Sequence, residues 1–320
     1  MKAEDIKTVC VIGAGTMGQG MAQSFAQAGL KVWMLGNVDR NKLDGHMAQV
    51  EANLKLFQEY GLLKEKVSTI KSRVHPALRK DLDEVAKECD FIIESVPENL
   101  DLKRELFTQL DSCREDVILA SNTGSLTISA ITKGCRTANR IVGVHYFNPA
   151  HIMPLVEIHF GPKTSKEVID TTRKLLIKVG KKPILVRKEI PGLIVNRLQG
   201  ALGREIISLI DKGVVTPEDI DTAAKAMYGF RNACIGTIEG FDMIGMDTMI
   251  AVGKGLFPTL DNSVEQPKYM YEMVERGELG IKTGKGFYDY SGKTRAQVLD
   301  GHNRKLLRQL ALFNSFEENK

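Results

Sequence analysis

The chain has 320 residues, 43% hydrophobic and 26% charged, enough for one large core or two ordinary ones and too apolar for a disordered chain. Its 44 Lys and Arg against 40 Asp and Glu leave a net charge of +4 without a polybasic block, which suits a small anion and argues against nucleic acid as a partner. No apolar stretch reaches the ~18–20 residues of a membrane span, the charged start Met1–Lys7 does not read as a signal peptide, and five scattered cysteines without a CxxC pair point to a reduced, cytoplasmic setting.

In chain order, Thr8–Ile12 reads as a buried strand. Gly13-Ala14-Gly15-Thr16-Met17-Gly18 follows it and opens a helix over Met17–Ala28. This is the pattern in which a tight glycine turn brings a helix N-terminus to a dinucleotide pyrophosphate. The next strand, Lys31–Leu35, should end in an acid that binds the adenosine ribose. Gly36 and Asn37 stand there instead, then Val38, Asp39 and Arg40. The expected cofactor is NAD, and the missing acid leaves NADP open.

A long helix is predicted over Arg40–Tyr60 and others over Leu102–Cys113 and Lys166–Val179. Strands fall at Phe91–Glu94, Val117–Ser121, Arg140–His145, Leu155–His159 and Ile184–Val186. Most are Val/Ile/Leu runs without polar alternation, as in a parallel sheet covered on both faces. The alternation predicts an α/β domain with a doubly wound, mainly parallel sheet over residues 1–189. At Glu189-Ile190-Pro191-Gly192 the pattern changes, and residues 190–320 read as all-helical: 193–212, a start at Thr216-Pro217, then Asp247–Leu256, Glu265–Arg276 and Gln297–Phe313.

His145 closes a strand, where the rim of an α/β sheet places ligands, and Asn148-Pro149 follows. Glu157 lies inside the apolar run Pro154–Ile158, and a carboxylate there needs a partner. A His–Glu pair would fix the imidazole tautomer and leave the other ring nitrogen to handle a substrate proton. His151 and His159 compete with His145 as that partner. Asn196 interrupts the apolar face of the first helix beyond residue 190. Lys282 and Lys285 sit in a glycine-punctuated loop, Lys282 to Tyr288, that reads as a phosphate contact or a plain turn. The six histidines include no HExxH, so no metal is expected.

Together, GAGTMG, Val96-Pro97-Glu98-Asn99-Leu100, Ser121-Asn122-Thr123, His145 through Glu157, Pro191 through Arg197 and the closing KTGKGFY resemble the 3-hydroxyacyl-CoA dehydrogenase family over nearly the whole chain. The resemblance implies a Rossmann-type domain followed by a helical substrate and dimerisation domain, and thus a homodimer. It implies His145 as general base, Glu157 as its partner and Asn196 as a substrate contact. Glu98, Lys103, Asn122, Asn148 and Lys282 match positions that contact the nicotinamide cofactor or line the site, beside the cradle Gly13, Ala14, Gly15, Thr16, Met17 and Gly18.

Three departures bear on the substrate. Gly124 stands where the family has a serine that contacts the substrate oxygen, with Ser125 next to it. The coenzyme A contacts of the short-chain enzymes fall at Glu51–Leu54 and Glu59-Tyr60, which lack the family's Ser and Lys. The segment Gly229–Gly236 looks like the branch with carnitine and gulonate dehydrogenases, which oxidise free hydroxy acids. The expected substrate is a short 3-hydroxyacyl-CoA, with Lys42, Lys55, Lys64 and Lys66 as a handle for its nucleotide. A free 3-hydroxy acid is the alternative, and a non-catalytic structural homologue a remote one. A 6-phosphogluconate-like dehydrogenase would use a helical Lys as acid/base, and none occurs between the boundary and Lys212. The apolar, Met-rich stretch Phe241–Met246 points to a subunit contact.

Overall fold

The computed structural model describes residues 1–37 and 39–318. Eight strands form one sheet: β1 (Thr8–Ile12), β2 (Lys31–Gly36), β3 (Val74–Leu78), β4 (Phe91–Glu94), β5 (Ile118–Ser121), β6 (Ile141–Tyr146), β7 (Leu155–His159) and β8 (Lys182–Val186). Their order is β3-β2-β1-β4-β5-β6-β7-β8. All neighbours are parallel except β6 and β7, which run antiparallel. The helices of this part are α1 (Thr16–Gln27), α2 (Arg40–Glu59), α3 (Val67–Lys71), α4 (Leu82–Ala86), α5 (Leu100–Leu110), α6 (Ile128–Ile131) and α7 (Lys166–Lys178).

Successive residues of a strand point to opposite faces. Val9 and Val11 therefore enter one core with Met21, Phe25, Leu43 and Leu176, while Cys10 and Ile12 enter the other with Leu106, Phe107 and Ile131. Both faces are covered, so the strands lack polar alternation. The chain order β1 to β2 to β3 leads outward on one side, and β4 onward on the other. The carboxyl ends of β1 and β4 therefore meet at the switch point where such sheets hold ligands.

The remaining helices are α8 (Val195–Asp211), α9 (Pro217–Ala223), α10 (Phe230–Asn232), α11 (Thr237–Ile244), α12 (Met246–Leu256), α13 (Lys268–Glu275) and α14 (Arg295–Glu318). The chain forms two compact units, Arg197–His302 and the rest. The division between these two units lies inside α8, and residues 303–318 group with the sheet. There Leu307 is fully buried with Leu56, Phe57 and Ile152, beside Tyr60, Leu306 and Leu310. Arg304 Nη1 reaches Glu59 Oε2 at 2.7 Å.

The helical unit differs from an ordinary domain. Between Arg197 and His302 the buried residues are Ser208, Gly253 and Val298. Phe230, Ile238, Met243 and Phe257 are each more than two-thirds exposed.

Candidate active site

The glycine turn is built by close approach. Gly13 has φ +114°, donates its N–H to Leu35 O at 2.8 Å, and has Ser95 O only 2.5 Å from where a Cβ would lie. A Cβ on Gly18 would come 1.7 Å from Gly13 O, so the helix can pack on the turn only without one. Around the Cβ position of Gly15 no atom lies within 4 Å. Gly15 caps α1 with no side-chain hydrogen bond and no acid in the first turn, and Thr16 is exposed. Free N–H groups, open space and no opposing charge fit a dinucleotide pyrophosphate. At the adenosine side, Asp39 caps α2, accepting from Lys42 N at 2.9 Å, and Arg40 is exposed.

The register of β6 and β7 decides which histidine Glu157 meets. His145 lies directly opposite Glu157, and Gly143 opposite His159. His145 Nδ1 is 2.9 Å from Glu157 Oε2. Glu157 is fully buried, and its other oxygen accepts the N–H groups of Ile194 and Val195, both at 2.9 Å. Burial pushes the Glu157 carboxyl up, but the imidazole and the two amides outweigh it and hold it below the usual carboxylate range. The pair leaves Nε2 of His145 as the free ring nitrogen, an acid/base geometry. His151 lies in the loop after β6 and His159 two residues along β7 from Glu157; both are buried, and burial pushes each imidazole down to about 4. Neither meets Glu157.

One feature here escaped sequence reasoning. Leu193 has φ +52°, a left-handed conformation that costs a non-glycine residue ~1–2 kcal/mol. It turns the chain so that the next two amides converge on Glu157. The only sequence signal is Pro191-Gly192, which marks a turn but not its target. Asn196, one residue further, donates Nδ2–H to Gly124 O at 3.2 Å.

Glu94 and Lys103 are fully buried together, with Lys103 Nζ at 2.7 and 2.9 Å from the two carboxylate oxygens. Glu94 also accepts from the Ser121 hydroxyl and from Val96 N. Lys103 lies 3.4 Å from Glu98 Oε2, so its ammonium reaches the rim through Glu98. Glu98 accepts from the Thr123 hydroxyl and from both Ser125 N and the Ser125 hydroxyl, at 3.1 and 2.7 Å. Burial raises the Glu98 carboxyl, and these donors with Lys103 bring it below its ordinary value. Ser125 thus faces Glu98. Asn122 accepts from Tyr146 N at 2.8 Å and donates to Ser95 Oγ at 3.3 Å, tying the ends of β4, β5 and β6. Asn148 is exposed beside cis-Pro149.

Lys282 lies in the helical unit, exposed, in a loop closed by bridges from Lys285 to Gly280 and Asp289. Lys285 pairs with Glu278 at 2.9 Å. Among the described residues no cluster of three His, Cys, Asp or Glu could hold a metal ion, and no helix is long and apolar enough to cross a membrane.

A dinucleotide cradle at the switch point and an imidazole–carboxylate pair on the same sheet define an NAD-dependent oxidoreductase. Two sequence models agree: "3-hydroxyacyl-CoA dehydrogenase, NAD binding domain" matches residues 8–190, and the "C-terminal domain" of the same enzymes matches 192–290. The chain belongs to the 3-hydroxyacyl-CoA dehydrogenase family. It is 30% identical over 305 residues to 5-formyl-3-hydroxy-2-methylpyridine 4-carboxylate 5-dehydrogenase of Mesorhizobium japonicum, covering 94% of this chain and 96% of that one. It is 35% identical over 287 residues to 3-hydroxybutyryl-CoA dehydrogenase of Clostridioides difficile, covering 88% and 99%. A solved structure of the pyridine-carboxylate enzyme, described as an NAD+ dependent dismutase, superposes with TM-score 0.87 at 29% identity, over 97% of this chain and 99% of that one. The (S)-3-hydroxybutyryl-CoA dehydrogenase of Ralstonia eutropha gives 0.71 at 37% identity, over 90% and 100%.

Proposed function

We propose that the protein interconverts a secondary alcohol and a carbonyl on a small carboxylate substrate, with His145 as acid/base. The distance of 2.9 Å between His145 Nδ1 and Glu157 Oε2 carries this reading. NAD supplies the hydride acceptor or donor, held at its pyrophosphate by the Gly13–Gly18 turn. In oxidation, Nε2 of neutral His145 takes the hydroxyl proton, and in reduction the imidazolium returns it. Glu157 stabilises the imidazolium, and the Ile194 and Val195 amides keep that carboxylate charged and aimed. Asn148 and Asn196 hold the substrate oxygens. Acid/base assistance of this kind contributes about 10²–10⁴-fold.

The sequence favoured a coenzyme A thioester, and the surroundings of α2 favour a free acid. Two positions expected to meet coenzyme A are acids engaged elsewhere: Glu51 with Lys55 and Lys71 at 2.7 and 2.6 Å, and Glu59 with Arg304. The packing of Leu307 on Phe57 covers the end of the same helix, and α14 lies beyond the residues matched by the family. Lys42 and Lys55 are drawn to neighbouring acids. The relative from Mesorhizobium is named for a carboxylate substrate. The test is kcat/KM for free 3-hydroxybutyrate, carnitine and gulonate against 3-hydroxybutyryl-CoA. A free acid should win, and a tenfold advantage for the thioester would overturn the substrate class while leaving the roles of His145 and Glu157 in place.

The same reading includes a homodimer formed by the helical unit in the cytoplasm. A unit with Val298 as its only buried large apolar side chain, and with Phe230 and Met243 at 77% and 72% exposure, needs a second copy to bury its apolar surface. Light scattering at micromolar concentration should show twice the monomer mass.

A further inference from the structure

We infer that Lys181 is a positioning residue of the active site, whose ammonium clamps the loop between the acid/base histidine and its carboxylate partner. The inference rests on the dehydrogenase reading above and deepens it.

The loop from Phe147 to Pro154 joins β6 to β7, and so joins His145 to Glu157. It carries Asn148. It folds back on one atom, Pro149 O, which accepts the N–H groups of Ile152 and Met153 at 3.0 and 2.9 Å. That turn directs the carbonyls of Ala150 and Met153 to Lys181, whose Nζ donates to them at 2.7 and 2.9 Å. The next residue binds the loop too, Lys182 N donating to Pro154 O at 2.8 Å. Lys181 Nζ also lies 5.7 Å from the centre of the Tyr146 ring, and Tyr146 follows His145 on β6. One cation therefore touches the loop at two points and the strand beside the catalytic imidazole at a third.

Lys181 is 6% exposed, and the partners of its ammonium are the Ala150 and Met153 carbonyls, with no carboxylate among the described residues. Its neighbours supply no counter-charge. Tyr146 is neutral, burial raising its hydroxyl far above its ordinary range, and burial keeps His151 uncharged near neutral pH. The cavity beside Lys181 also receives Lys64 and Glu65 after α2, Arg173 and Lys178 of α7, and Lys182 of β8. Glu65, the one acid there, is held by Arg73 at 2.7 and 2.6 Å. A buried ammonium held by carbonyls and a π-face is costly to keep charged. Burial lowers Lys181 to about 7. Deprotonation removes the charge from both hydrogen bonds, and charge-assisted bonds are about twice as strong as neutral ones. The loop should therefore loosen as pH rises through about 7.

Hydrogen exchange at the amides of residues 150–153, corrected for the intrinsic pH dependence, tests this in the wild-type protein with no ligand. Protection should fall at least tenfold between pH 6 and pH 8.5. Lys181→Arg, whose guanidinium stays charged, should abolish that fall, and Lys181→Met should lower protection at every pH. Turnover gives the second readout, measured in the oxidative direction with the best of the four compounds named above. There His145 acts as a base, and raising the pH does not remove a base, so an alkaline decline belongs to Lys181. That decline should vanish in Lys181→Arg, and kcat should drop tenfold or more in Lys181→Met with NADH affinity within threefold. Loop protection independent of pH in wild type, or an alkaline decline that persists in Lys181→Arg, overturns the inference. Absence of turnover with all four compounds would instead count against the substrate reading, and the exchange result would stand by itself.

Discussion

Gly124 lies against the imidazole of His145, so closely that a Cβ at 124 would stand 2.6 Å from Nε2 and 3.1 Å from Cε1. The family resemblance implies a serine at this place. In this chain the space belongs to the ring, which is fixed on its far side by Glu157 and cannot yield as a flexible chain end could. The Gly124 carbonyl also holds Asn196. Substitution should therefore displace two groups of the site at once. Gly124→Ala is expected to lower kcat at least tenfold with cofactor affinity nearly unchanged, since misplacement by about 1 Å can cost ~10²-fold. Steady-state turnover and NADH fluorescence titration check it, and wild-type turnover would show that the ring has room to move.

His145 and Glu157 should behave as one unit. Glu157→Gln keeps an oxygen for the Ile194 and Val195 amides but turns an NH₂ group towards His145 Nδ1. That favours the tautomer with its proton on Nε2, the nitrogen that has to accept one. Both Glu157→Gln and His145→Gln should slow hydride transfer by about 10²–10⁴-fold, and the double variant should be little worse than either. Single-turnover rates provide the comparison. Additive losses would mean that the two residues act separately.

Much of this was legible in the sequence because it depends on local pattern. The Val/Ile/Leu runs gave most strands within a residue or two, and the glycine turn lay between a strand and a helix as its chemistry requires. β3 escaped because Val74-His75-Pro76-Ala77-Leu78 carries a proline, which a sheet tolerates at an edge, and β3 is one of the two edge strands. The competition among His145, His151 and His159 needed the antiparallel register of β6 and β7, a long-range fact that composition does not encode. The docking of α14 was hidden for a similar reason. Leu306, Leu307 and Leu310 show an apolar stripe, and nothing local says that it meets Phe57 and Ile152.

The adenosine end of the cradle gives a third test. Gly36 ends β2 without a carboxylate, and the nearby Asp39 is occupied in capping α2. Gly36→Asp should raise the preference for NADH over NADPH at least tenfold, because a carboxylate there binds the ribose hydroxyls and repels a 2′-phosphate. Asp39→Ala should leave that ratio alone and lower stability by about 1 kcal/mol through loss of the cap. If Asp39→Ala instead shifts the ratio towards NADPH, Asp39 is the ribose-binding acid.

The buried histidines predict how stability responds to acid. His151 and His159 are held near 4 in the folded protein, against an ordinary value of 6.5. Between those limits the unfolded chain binds a proton at each site and the folded chain does not, so stability is full above about pH 6.5 and falls as pH drops towards 4. By pH 5 each histidine should have cost about 2 kcal/mol, as an order of magnitude. His151 is the cleaner one to change, because neither ring nitrogen has a hydrogen-bond partner among the described residues and the ring packs against Phe57 at 5.8 Å. His151→Leu should keep the fold at pH 7 and reduce the drop in thermal midpoint between pH 7 and pH 5. An undiminished drop would place the acid sensitivity of this range at His159, since the Glu157 carboxylate loses its contribution only as pH falls through the usual carboxylate range and below.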